Sequence, residues 1–116
     1  MPLITVWNYP STWEKSPFIQ CLKKSAIDIK ELNLTTEDVS VAFAGEQSMD
    51  HLDKCLIIMV ELLFDKPERT IEVRRQLAGS LGKAAKIYLE TRVFLGWKVE
   101  VAVKRFNPDK DAFWTS

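Results

Sequence analysis

The chain has 116 residues, 47% of them hydrophobic and 28% charged, which allows one domain with a true core and leaves too little for two. Sixteen basic and sixteen acidic residues cancel, so there is no basic footprint for nucleic acid and little self-repulsion to oppose oligomers. Two cysteines far apart and a single histidine exclude a structural zinc site, and the apolar run CLIIMV is far short of the roughly 20 residues that span a bilayer.

The first predicted element is LITVW, an alternating run of branched and aromatic residues that reads as a strand. Pro2 stands directly before it, a position where a missing ladder donor is tolerated. Prolines 10 and 17 then bracket a polar stretch. Ser16 offers an N-cap with Pro17 at the first helical position, and Phe18, Leu22, Ala26 and Ile29 recur at helical spacing toward Asn33. TTEDVSVAF returns the period to two, with Val39, Val41 and Phe43 on one face of a second strand.

A polar loop, AGEQSMDHLDK, leads to CLIIMVELLF, a third strand apolar at nearly every position and expected to be covered on both faces. After DKPER, Thr70 is a credible N-cap with Glu72 in the first turn. Ile71, Leu77, Leu81, Ala84, Ala85 and Tyr88 are the expected buried stripe of a long second helix. KVEVAVKRF reads as strand four, and NPDKDAFWTS closes the chain.

The order is strand, helix, strand, twice over, and DVSVAF is echoed by KVEVAV about 60 residues later. This predicts an α+β domain over residues 1–116: a first βαβ unit over 1–45, a second over 55–106 and a tail over 107–116. The crossovers should be right-handed, with both helices on one face of a four-stranded sheet. The opposite face then needs cover, and other copies of the chain are the expected cover. No charged segment followed by a long apolar run stands near the N-terminus, so a cytoplasmic protein with reduced thiols and no membrane partner is expected.

A duplicated βαβ chain of this length beginning MPLI resembles the tautomerase superfamily. The likeness is most specific in ERTIEVRRQLAGSL, residues 68–81, which is similar to the approach to the second helix in 5-carboxymethyl-2-hydroxymuconate isomerases. The resemblance implies a homotrimer whose sheets face inward as a barrel. It also implies a cofactor-free isomerase, in which Pro2, freed of Met1, moves a proton on a small enol or keto carboxylate. Hydratase-type dehalogenases and decarboxylases are the neighbouring activities, and a non-catalytic oligomeric binding protein of the same fold is the alternative from another class.

Pro2 is the candidate acid/base. A free α-amino group titrates near ~8, and an apolar pocket beside cations would draw a secondary amine down toward neutrality. The resemblance assigns Arg69 and Lys66, three residues apart in DKPER, to the substrate carboxylate; solvated surface charge is the plainer reading of Lys66. It also offers Phe113 and Trp114 as an aromatic wall, or simply as an oligomer seal. Asn8, at the end of strand one, could face the pocket. Trp7, Tyr9, Trp13 and Cys21 read as packing residues, His51 as exposed, and Arg74 and Arg75 as the outer face of helix two. The chain departs from the family pattern in lacking arginines in YPSTWEK and in strands two and four at Ser40 and Glu100, which favours one carboxylate over two.

Overall fold

The computed structural model describes residues 2–44, 54–92, 94–107 and 109–112. The elements are β1 (Leu3–Trp7), α1 (Ser16–Ile27), β2 (Ser40–Ala44), β3 (Cys55–Phe64), α2 (Ile71–Thr91) and β4 (Lys98–Phe106), with short 3₁₀ turns at Lys30–Leu32 and Thr36–Asp38. The sheet order is β2-β1-β3-β4. β1 and β2 are parallel, β3 and β4 are parallel, and β1 meets β3 antiparallel. Each half is thus a βαβ unit, as its sequence echo suggests.

Alternation decides which face is covered. Ile4, Val6, Leu56, Ile58 and Val60 are buried, and Val41, Phe43, Val99, Val101 and Val103 pack against the same core. Helices α1 and α2 close this side with Phe18, Leu22, Ala26, Leu77, Leu81 and Leu89. Each fully buried large side chain contributes on the order of 1.5–3 kcal/mol. The other face carries Leu3, Thr5, Trp7, Ile57 and Met59, all half-buried. Within one chain, β3 is therefore covered on one face rather than two.

Helix α1 is shorter than its apolar spacing suggests. Lys15 is its N-cap residue, with no side-chain cap, and Ser16 lies inside the first turn beside Pro17. The helix ends at Ile27, and the chain continues into a 3₁₀ turn stopped by Asn33 in the left-handed region at φ 51°. Ile29 and Leu32 stay buried beyond the helix end. The burial period thus outlasts the helical backbone, which is why the two were indistinguishable in sequence.

Helix α2 starts as expected: Thr70 Oγ1 accepts from the Val73 N–H at 3.3 Å, and Glu72 faces the positive end of the dipole. Its buried stripe is Val73, Leu77, Leu81, Ala85, Tyr88 and Leu89. Ile71 is 43% exposed, a correction to its predicted burial. It stands two residues before Val73, about 200° around the helix and so on the far side. Ala84 is half-buried rather than core.

One irregularity shapes the sheet. Val60 pairs with Val103, but the next aligned pair is Leu63 with Arg105, so Glu61 and Leu62 share one place opposite Lys104. Leu62 takes φ 56°, a left-handed backbone at a non-glycine residue. This β-bulge resets the alternation. Leu63, which a regular strand would turn to the open face with Ile57 and Met59, is instead 1% exposed in the core.

Candidate functional site

Pro2 lies buried at the head of β1, where its carbonyl accepts the Ser40 N–H of β2 at 3.2 Å. Leu3 pairs with Glu61, so Pro2 comes next to the bulge at Glu61–Leu62. Because β4 runs parallel to β3, the ends of both strands and the turn into α2 gather at this same end of the sheet.

Clefts open there on several sides of Arg105. The smallest, about 250 Å³, is lined by Glu61, Leu62, Lys104, Arg105, Phe106 and Asp111. The largest, about 400 Å³, is lined by Asp65, Lys66, Pro67, Arg69, Thr70, Arg74 and Arg105. A third, about 340 Å³, lies among Asp65, Lys104, Arg105, Asn107, Lys110 and Asp111. Arg105 borders all three. The largest cleft is cationic, with Lys66, Arg69, Arg74 and Arg105 against Asp65 alone, and it contains the capped, partly positive start of α2. In the smallest, Lys104 and Arg105 are balanced by Glu61 and Asp111. An anion in the largest cleft would relieve repulsion among like charges and gain charge-assisted hydrogen bonds.

The cations are not equivalent. Arg69 is 5% exposed, its Nη1 donating to the Phe64 carbonyl at 2.9 Å and its Nη2 to the Leu32 carbonyl at 2.8 Å. Its Nε is buried and has no partner among the described residues. Burial draws its pKa below the ordinary guanidinium value, while Glu68 and Asp38 act to hold it up. Arg69 thus ties the end of β3 to the 3₁₀ turn after α1. Lys66 is exposed on the turn. Arg74, expected on the outer face of α2, is half-buried at the cleft, and its Nε also lacks a partner among the described residues. The side chain of Arg105 is 62% exposed and makes a loose 3.9 Å ion pair with Asp65.

Asn8 is not brought to Pro2. It sits past the other end of β1, at φ 69°, with Nδ2 donating to the Cys55 carbonyl at 3.0 Å. Six residues of extended chain separate it from Pro2, roughly 20 Å. Phe113, Trp114 and His51, like Met1, lie outside the described residues. Tyr9 is a core residue, stacked on Phe18 and edge-on to Trp13. Trp13 in turn stacks on Phe94 at 4.0 Å between ring centroids. Cys21 is half-buried, its thiol facing the Ala84 carbonyl at 3.8 Å, and burial pushes its pKa up.

Lys104 and Arg105 were missing from the sequence-based candidates. Their signal was present: KVEVAVKRF alternates until Val103 and then places two cations in succession. Only the antiparallel β1–β3 pairing shows that this break falls at the same end of the sheet as Pro2, with β3 between them. Among the described residues, no group of three or more His, Cys, Asp or Glu side chains converges to hold a metal ion.

No protein-family model and no curated protein sequence matches the chain. Solved structures do. A 5-carboxymethyl-2-hydroxymuconate delta-isomerase superposes with a TM-score of 0.68 at 10% identity, over 100% of this chain and 87% of that one. A fused 4-OT, an asymmetric trimer, gives 0.66 at 15% identity over 96% and 91%. Pt0534, inactivated by 2-oxo-3-pentynoate, gives 0.63 at 17% identity over 97% and 90%. At these identities the likeness establishes the fold alone: the chain shares the α+β architecture of these three structures.

Proposed function

We propose that this protein is a cofactor-free tautomerase that moves a proton on a small enol or keto carboxylate, with Pro2 as acid/base and the neighbouring cations holding the carboxylate. The observation that carries this is a buried Pro2 at the same end of the sheet as a cleft lined by Lys66, Arg69, Arg74 and Arg105. Removal of Met1 would turn the Pro2 nitrogen from an amide into a secondary amine. Burial disfavours the protonated amine and lowers its pKa toward the range where a base works at neutral pH, while Glu61, opposite Leu3, acts in the other direction.

The reaction needs little else. The base takes the enol proton, or a proton from carbon, and the resulting ammonium returns it to the other end of the conjugated system. The cations fix the carboxylate so that the proton travels between defined atoms, a positioning effect. The functional unit in this proposal is a homotrimer with the open sheet faces turned inward. A trimer is how the fused 4-OT with this fold is described.

Intact mass of the purified protein should show loss of Met1. Ketonisation of phenylenolpyruvate and of 2-hydroxymuconate, followed by absorbance, should then fall about 10²–10⁴-fold in Pro2→Ala. 2-Oxo-3-pentynoate should add covalently to Pro2 in the wild type and not in the variant. Retained Met1, or equal rates in the two proteins, would sink the proposal.

A further inference from the structure

We propose that Arg105, at the end of β4, is the residue that takes the substrate carboxylate, and that Arg69 is a structural brace. This rests on the proposed carboxylate chemistry at Pro2 and says which cation does the binding. A guanidinium binds a carboxylate through two parallel N–H donors. In Arg69 both terminal nitrogens already donate to backbone carbonyls, those of Leu32 and Phe64, and the residue is 5% exposed. Turning that fork to a ligand would leave two inner carbonyls without donors, a penalty of the same size as the bond gained.

Arg105 has the opposite character. Its side chain is 62% exposed, and its interaction with Asp65 at 3.9 Å is too long for a hydrogen bond. Its backbone is fixed by pairing with Leu63 immediately after the bulge, so the side chain leaves a rigid strand rather than a loop. It borders the cleft at the start of α2 and the one lined by Glu61 and Leu62. Those are the two residues of β3 that pairing sets beside Leu3 and Pro2. Arg105 therefore shares a cleft with the bulge residues beside the head of β1, whereas Lys66 lines only the cleft on the α2 side.

Alternation along β4 sets Arg105 on the α2 side with Val99, Val101 and Val103, where Lys66, Thr70 and Arg74 form the rest of the wall, and the bulge in β3 brings Leu63 opposite it.

The test separates Arg105 from Arg69 and both from Pro2. Arg105→Gln should raise KM for phenylenolpyruvate roughly 10- to 100-fold, the worth of a pair of charge-assisted hydrogen bonds, and Arg105→Lys should recover part of the loss. Arg69→Lys should lower the melting temperature and leave KM within about twofold. Hydrocinnamate, which carries the carboxylate but has no enol to turn over, is titrated in parallel by NMR into wild type, Arg105→Gln and Pro2→Ala. It should bind wild type and Pro2→Ala and lose affinity in Arg105→Gln. If hydrocinnamate binding depends on Arg105 but no enol is converted, the tautomerase proposal fails and this inference stands. If enols are converted and neither KM nor hydrocinnamate affinity changes in Arg105→Gln, or if Arg69→Lys raises KM while folded, the inference is overturned. Failure of hydrocinnamate to bind the wild type overturns it too.

Discussion

Arg69 carries a permanent charge into the protein interior, and the reason it is tolerated is geometric. The carbonyls of Phe64, at the end of β3, and Leu32, in the turn after α1, both accept from it, and one planar fork reaches both. Replacement by Met keeps the volume but removes both of these buried hydrogen bonds, so a loss of about 2–4 kcal/mol in urea unfolding is expected. Lysine keeps the charge but cannot span both oxygens, and should recover only part of this. The cysteines give a second prediction at this scale. Burial raises the pKa of both Cys21 and Cys55. The folded state therefore favours the neutral thiols, so this contribution to stability is complete below the unfolded value of about 8.5 and declines as pH rises above it. Alkylation of the native protein at pH 8 should be slow at both positions, and fast for both once urea unfolds the chain. Rapid native labelling of either would show a thiolate that the packing does not explain.

Two element-scale features bear on the site, the cap of α2 and the bulge in β3. Thr70→Ala removes the acceptor for the Val73 N–H and should cost about 1 kcal/mol, with Thr70→Asp restoring it. Leu62 sits at φ 56°, where an L side chain is strained. Leu62→Gly relieves that strain and should stabilise the fold by about 0.5–1 kcal/mol, read as a rise in the urea midpoint at constant slope. These same elements show what could be read from sequence. The N-cap at Thr70, the stripe of α2 and the duplicated βαβ order were readable because each is written in local spacing. The early end of α1 was not, because Ile29 and Leu32 continue the burial period in a 3₁₀ turn. The bulge was not either. CLIIMVELLF is apolar on so many positions that a shift of one residue leaves no mark on its pattern. The candidate cations divided in the same way. Arg69 and Lys66 were visible through their place before α2, whereas Arg105 became a candidate only when pairing set the end of β4 at the same end of the sheet as the head of β1, across β3.

At the scale of the molecule, the sheet has one finished face and one unfinished. Across its middle, Ala42, Thr5, Met59 and Ala102 align through all four strands, and the next rank adds Ala44, Trp7 and Ile57. The charged side chains of that face, Glu61, Glu100, Lys98 and Lys104, stand toward its ends and along β4. An uncharged centre with a charged rim is the composition of a protein–protein interface. Its small residues would let another sheet approach closely. The proposed trimer would bury this face, so the wild type should elute at three times the mass of one chain in light scattering. Its melting temperature should rise with protein concentration, because assembly then stabilises the native state by mass action. Met59→Lys places a charge at the centre of the face without touching the helix side of the core. It should give a single-chain mass and a melting temperature that no longer depends on concentration. A wild type that stays monomeric at micromolar concentration would remove the trimer from the proposal while leaving the Pro2 end of the sheet intact, since Pro2, Arg105 and the clefts around it belong to one chain.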